Sequence, residues 1–175
     1  MKIEFPLKAE ASLRNIPLTM TNGLYASYQF DEDSIQSLAQ LAVKAGYAFD
    51  PAKVHVTVMY STKSPSESTR ELIESDIGSE ATAIITGIDH WVGHNGKTYV
   101  ILRLQSQDLA ALNAKLHRCG AEATILPYAP HITLHSQEDA LSEDQLAKIA
   151  ELNLELAPSS TVLKLINYKV GDLDG

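Results

Sequence analysis

Two seven-residue stretches decide how this chain reads: VHVTVMY at 54–60 and PHITLHS at 130–136. Each holds a His-x-Thr followed by an apolar residue. Side chains alternate across a β-strand, so His55 and Thr57 share one face and Val54, Val56 and Val58 the other. The same rule puts His131 and Thr133 on one face and Ile132 and Leu134 on the opposite one. The aliphatic faces belong to the core. Each strand therefore offers one histidine and one hydroxyl together, away from its apolar side.

The residues before each stretch repeat a pattern. LYASYQF (24–30) reads as an aromatic-rich strand. Asp31 and Asp33 are helix-capping types ahead of Ile35, Leu38, Leu41 and Ala42, a helix-period stripe ending at Gly46. In the second half, TYVILRL (98–104) is a strand. Asp108 then caps a helix carrying Leu109, Leu112 and Leu116 and ending at Gly120. The strand aromatic and the motif histidine lie 30 residues apart in the first copy (Tyr25, His55) and 32 in the second (Tyr99, His131). Two strand–helix–strand units are too few for a solenoid. They predict two lobes related by an approximate twofold axis, with the motif strands facing each other across a cleft.

Between and after the copies, 66–74 suggests a short helix and 81–92 a strand. His94-Asn95-Gly96-Lys97 reads as a hairpin turn, because Asn-Gly favours type I′ geometry. Residues 142–152 form a further amphipathic helix opening at Ser142, and 160–170 a last strand. The expected fold is α+β: a single bilobal domain over 1–175, with two antiparallel sheets around a central cleft and flanking helices. Residues 1–22 read as an N-terminal arm or edge strand.

Two histidines in one cleft suit acid–base work. Histidine titrates near pH 6.5, so one ring can be neutral and take a proton from a hydroxyl nucleophile while the other is protonated and gives one to a leaving oxygen. Threonine hydroxyls donate to the non-bridging oxygens of a phosphate without adding charge. The set calls for no metal and no cofactor. It suits phosphodiester transfer on a ribonucleotide, whose vicinal 2′-hydroxyl attacks.

HVTV (55–58) and HITL (131–134) resemble the two H-x-[ST]-x motifs that give the 2H phosphoesterase superfamily its name, over about residues 24–170. The resemblance implies a bilobal α+β fold and metal-independent chemistry on 2′,3′-cyclic, 2′–5′ or 3′–5′ phosphodiesters. It makes His55 and His131 the acid–base pair, and Thr57 and Thr133 the phosphate donors. Within the superfamily, GLYASYQF, KVHVTVMYS and PYAPHITLHS look most like the phage anti-CBASS phosphodiesterases, which degrade the cyclic di- and trinucleotides that signal infection in bacteria. The implied activity is cleavage of 3′–5′ linkages in signals such as 3′,3′-cGAMP, in the host cytoplasm. The alternative is an RNA 2′,3′-cyclic or 2′–5′ oligonucleotide phosphodiesterase. Bacterial RNA-end enzymes tend to carry basic residues around the second motif, where this chain has Ala129 and His135-Ser136.

Further candidates line up beside the motifs. The resemblance implies that Tyr25 faces the ligand and that Trp91 stacks on a base; sheet and core packing are the rival readings. His135, two residues past Thr133, should share its face and touch substrate at the cleft rim. Tyr60 falls opposite Thr57 and reads as core. His90 and His94 sit in a strand and a turn, where four-residue spacing does not build a metal pair. Lys63, Lys97 and Arg103 are the nearest basic candidates for a second phosphate. Cys119 reads as a small buried residue near a helix end.

Bulk charge narrows the ligand. Lys and Arg total 14 against 22 Asp and Glu, giving −8 with neutral histidines. Proteins that hold long nucleic acid carry a basic stripe, and this chain has none. No apolar run approaches the ~20 residues of a membrane span. The expected partner is a small cyclic oligonucleotide rather than a nucleic-acid polymer or a membrane. The expected state is a cytoplasmic monomer or weak oligomer.

Overall fold

The computed structural model describes residues 22–123 and 127–173. The expected N-terminal arm lies outside the described residues. Strand β1 (Leu24–Phe30) leads into helix α1 (Glu32–Ala45) and strand β2 (Val56–Ser61). A 3-10 turn at Glu67–Thr69 runs into the short helix α2 (Arg70–Glu74). Strands β3 (Ala81–Val92) and β4 (Thr98–Gln105) form a hairpin, followed by helix α3 (Gln107–Arg118) and strand β5 (His131–Gln137). Helix α4 (Glu143–Leu156) and strand β6 (Val162–Gly171) close the fold.

Local chemistry explains most boundaries. Asp31 caps α1 by accepting from the Ser34 amide, and Gly46 ends it at φ +85°, a left-handed turn that costs glycine little. Ser142 and Gln145 form a reciprocal capping box on α4. Helix α3 departs from expectation. Ser106 is its cap, accepting from Leu109, while the Asp108 carboxylate accepts from the Thr82 amide of β3. The β3–β4 loop also differs from a type I′ turn. Gly96 takes a positive φ but Asn95 does not. Asn95 instead accepts from the Lys97 amide and donates to the Tyr99 hydroxyl.

The six strands form one antiparallel sheet, in the order β2-β1-β6-β3-β4-β5, rather than the two sheets expected. The order reads the same reversed when β1, β2 and β3 are exchanged with β4, β5 and β6. The duplication is thus present in the connectivity, with the third strand of each copy lying between the halves. Strands β2 and β5, at opposite ends of the order, contact each other. The sheet therefore curls until its edges meet, which brings the two motif strands together. Val56, Val58, Ile132, Leu163 and Leu165 join Leu38, Leu109, Leu116, Ile149 and Leu152 of the helices in one core. Cys119 is buried in it as expected.

Each motif strand carries one unpaired extra residue. On β2, Met59 pairs with Ala26 and Thr57 with Ser27, leaving Val58 without an opposite number. On β5, His135 pairs with Val100 and Thr133 with Ile101, leaving Leu134 unpaired. These are β-bulges at the fourth position of both motifs, and a bulge reverses the alternation beyond it. Val58 and Met59 are consequently both buried, and Tyr60 swings to the face of Thr57. The bulged edge of β2 is held by two side chains: Asn113 of α3 donates to the Val58 carbonyl at 2.8 Å, and the Tyr128 hydroxyl to the Thr57 carbonyl at 2.9 Å.

Replacing Asn113 with Leu removes the donor to Val58 and leaves a buried carbonyl unsatisfied. The expected result is a loss of about 1–3 kcal/mol, measured as a lower urea midpoint at unchanged m-value.

Candidate functional site

The two histidines are held alike. His55, directly before β2, places Nδ1 2.9 Å from the carbonyl oxygen of Lys53. His131, opening β5, places Nδ1 2.9 Å from the carbonyl oxygen of Ala129. A carbonyl only accepts, so each Nδ1 carries a proton, and in the neutral ring Nε2 is the atom with the lone pair. The tautomer needed for proton transfer at Nε2 is set in both copies by backbone two residues upstream. A bond of this kind behind the ring orients it as well as choosing its tautomer.

The surroundings of the two rings differ. Trp91 meets His131 at a ring-centroid distance of 4.5 Å and 80°. Burial holds the His131 pKa below the usual histidine range. The Ala129 carbonyl opposes that shift, and the charge of His55 adds to it. The two histidines are thus close enough to sense each other. His55 is exposed and has Tyr25 beside it, at 6.4 Å and 66°.

His131, Thr57, Thr133 and Trp91 line a cleft of about 610 Å³, within the range of small-ligand sites. Tyr60, His94, Asn95, Tyr99, Asn113 and Tyr128 line it too. His55 and Tyr25 are not among its lining residues, although Tyr25 reaches Thr57, which is. The Tyr25 hydroxyl lies 3.2 Å from Thr57 Oγ1. Burial raises the Tyr25 pKa, with the Thr57 bond opposing, so the phenol keeps its proton.

Two expectations about facing are corrected by the bulges. His135 does not share the face of Thr133. It stacks on Tyr47 at 4.3 Å and 14°, and Nε2 lies 3.0 Å from Gln137 Oε1. Tyr60 is not core: it is 49% exposed on the cleft wall. The basic candidates are engaged elsewhere, Lys63 with Glu122, Lys97 with Glu138 and Arg103 with Asp89, and none lines the cleft. Among the described residues no cluster of three His, Cys, Asp or Glu could hold a metal ion, and no helix is long and apolar enough to cross a membrane.

Sequence reasoning passed over Asn113 and Tyr128. Asn113 did leave a signal, as a polar residue inside the apolar stripe Leu109, Leu112, Leu116. Tyr128 left none beyond its place in a proline-flanked loop.

Fold and site together define an α+β protein with a histidine-bearing cleft between the converging edges of one sheet. The chain belongs to the family of anti-CBASS protein Acb1, whose match covers residues 22–162. A relative from Vibrio phage KVP40 (isolate Vibrio parahaemolyticus/Japan/Matsuzaki/1991), described as anti-CBASS protein Acb1, is 27% identical over 124 residues, 70% of this chain and 77% of that one. The crystal structure of TT0787 of Thermus thermophilus superimposes with a TM-score of 0.52 over 84% of this chain and 86% of its own. At 13% identity that likeness concerns the fold alone.

Because the pKa of His131 is lowered by folding, the unfolded chain binds the extra proton first on acidification. This ring's contribution to stability should be intact above pH 6.5 and fall away as pH drops from there to the folded pKa. Urea titrations between pH 8 and 5 should show a shallower loss in His131→Gln than in the wild type.

Proposed function

We propose that this chain is a metal-independent phosphodiesterase that opens cyclic di- and trinucleotide signals at a 3′–5′ linkage, and that it serves a phage in evading host CBASS immunity from within the host cytoplasm. The observation that carries the reading is the matched pair of histidines, each with Nδ1 on a backbone carbonyl, beside a cleft of small-ligand size. Membership of the anti-CBASS family supports the biological role. The resemblance to the 2H phosphoesterases supports the chemistry.

In this mechanism the lowered pKa of His131 keeps it neutral, and it takes the proton of a ribose 2′-hydroxyl at Nε2. The 2′-oxygen attacks the adjacent phosphorus, a P–O2′ bond forms and the P–O5′ bond breaks. Protonated His55 gives its Nε2 proton to the departing 5′-oxygen. The product is a linear oligonucleotide with a 2′,3′-cyclic phosphate and a 5′-hydroxyl. Water can then open the cyclic phosphate with the two histidines exchanging roles. Thr57 and Thr133 donate to the non-bridging oxygens. The Tyr25 hydroxyl lies 3.2 Å from Thr57 Oγ1, and in this mechanism it is the donor of that bond, which leaves the Thr57 proton for the phosphate.

The test is incubation with a panel of cyclic di- and trinucleotides plus a 2′,3′-cyclic RNA end, read by mass spectrometry. Linearised cyclic nucleotide with a 2′,3′-cyclic or monoester phosphate is expected, unchanged by chelator. His55→Ala and His131→Ala should each cost at least about 10²-fold in kcat, and full activity in either sinks the assignment. Tyr25→Phe should lower kcat several-fold with KM nearly unchanged, since it loosens Thr57 and leaves the ring in place. Turnover of the RNA end alone favours the alternative substrate class.

A further inference from the structure

We propose that the hydroxyl of Tyr99 is the hydrogen-bond donor for the second phosphate of a cyclic dinucleotide, the one that does not react. The inference rests on the functional reading above and adds a residue to it. Tyr99 is the second-copy counterpart of Tyr25, yet the two phenols are used differently. The Tyr25 hydroxyl stands 3.2 Å from Thr57 Oγ1, inside its own motif. Tyr99 pairs with Ser136, past the bulge in β5, and its hydroxyl accepts from Asn95 Nδ2 at 2.7 Å. Asn95 Oδ1 in turn accepts from the Lys97 amide at 3.0 Å. A backbone N–H only donates, so the oxygen of the Asn95 side chain faces Lys97 and its NH2 group faces Tyr99. The phenol oxygen is therefore the acceptor of that bond and keeps its own proton to give. Among the described residues nothing accepts that proton.

The β3–β4 loop fixes the ring as well as the hydroxyl. A Cβ on Gly93 would come within 2.7 Å of Tyr99 Cε2 and 3.0 Å of Asn95 Oδ1, so the loop closes on the ring only because residue 93 has no side chain. The Gly93 amide donates to the Lys97 carbonyl at 2.9 Å and ties the loop shut. A donor held in this way loses little freedom on binding. Tyr99 also shares a face of β4 with Ile101, the partner of Thr133. Two residues of strand separate those rows by about 7 Å, so a phosphate on Thr133 leaves Tyr99 for a group further along the same cleft. Tyr128, Asn113 and Asn95 share the wall but direct donors at protein acceptors. Lys97 and Arg103 are paired with carboxylates. The cleft thus meets a second phosphate with a neutral O–H, and a hydroxyl bond to an ionised oxygen is of the strong, charge-assisted kind.

The test compares 3′,3′-cGAMP with the dinucleoside monophosphate ApG, which has the same bases and one 3′–5′ phosphate but no second one. ApG is read as KM where it is cleaved and as Ki against 3′,3′-cGAMP where it is not. Tyr99→Phe keeps the ring on Gly93 and removes the donor. It should raise KM for 3′,3′-cGAMP about ten-fold or more with kcat within a few-fold, and leave the ApG value unchanged. Asn95→Ala, which keeps the hydroxyl but not the bond that aims it, should raise the same KM by a smaller factor and spare ApG. Should Tyr99→Phe not fold, Asn95→Ala decides the case. An unchanged KM for 3′,3′-cGAMP, or equal losses on both compounds, overturns the inference while leaving the phosphodiesterase reading intact. A wild type inactive on 3′,3′-cGAMP overturns that reading, and this inference with it.

Discussion

One unpaired residue in each of two edge strands governs the geometry of the cleft. A strand that alternates without interruption would carry His, Thr and every second residue beyond them onto the same face. In β2 and β5 the ladder skips Val58 and Leu134. The fourth residue of each motif is spent on the bulge, and the strand bends and twists more tightly there. Before the bulge lie the histidine and threonine; after it the pattern inverts. This inversion removes His135 from the cleft to stack on Tyr47 and delivers Tyr60 to it. A bulged edge also leaves backbone carbonyls exposed to the interior, and Asn113 and Tyr128 supply their donors. The residues that satisfy the edge thereby also line the cleft.

The polar equipment of the cleft is largely neutral. Hydroxyls of Thr57, Thr133, Tyr99 and Tyr128 and the amides of Asn95 and Asn113 surround His131. The lysines and the arginine nearest the motifs are paired with carboxylates outside it. An overall charge of −8 is compatible with such a site, because a phosphate in a small cleft is held by short directed hydrogen bonds and one titrating ring rather than by a long-range positive field.

Much of this was legible from residue types alone. The strand–helix–strand copies, the α1 cap at Asp31 and stop at Gly46, and the α4 start at Ser142 all follow from local rules, and the structure has them. What could not be read was register. Two strands paired with and without a bulge have the same composition, so the faces of Tyr60 and His135 depend on hydrogen bonds made to β1 and β4, far away in sequence. The single curled sheet was hidden for the same reason: it needs β3 and β6 to pair with each other, over Ala81–Ile84 and Val162–Leu165, and nothing local announces that ladder. At α3, two adjacent cap-type residues competed, and a tertiary partner decided between them, since the Asp108 carboxylate was taken by Thr82.

The palindromic strand order has a consequence for proton chemistry. Two identical subunits meeting on a true twofold axis must give both of their histidines the same environment, so neither can be made permanently the donor or the acceptor. Here both copies lie on one chain, and each is free to acquire its own neighbours. One ring has been roofed by an indole and drawn out of water, and the other left in solvent beside a phenol. The fold keeps the symmetry of the backbone bonds that choose the tautomer, and sets a different aromatic ring edge-on to each histidine. Covalent linkage of the halves is what permits that difference.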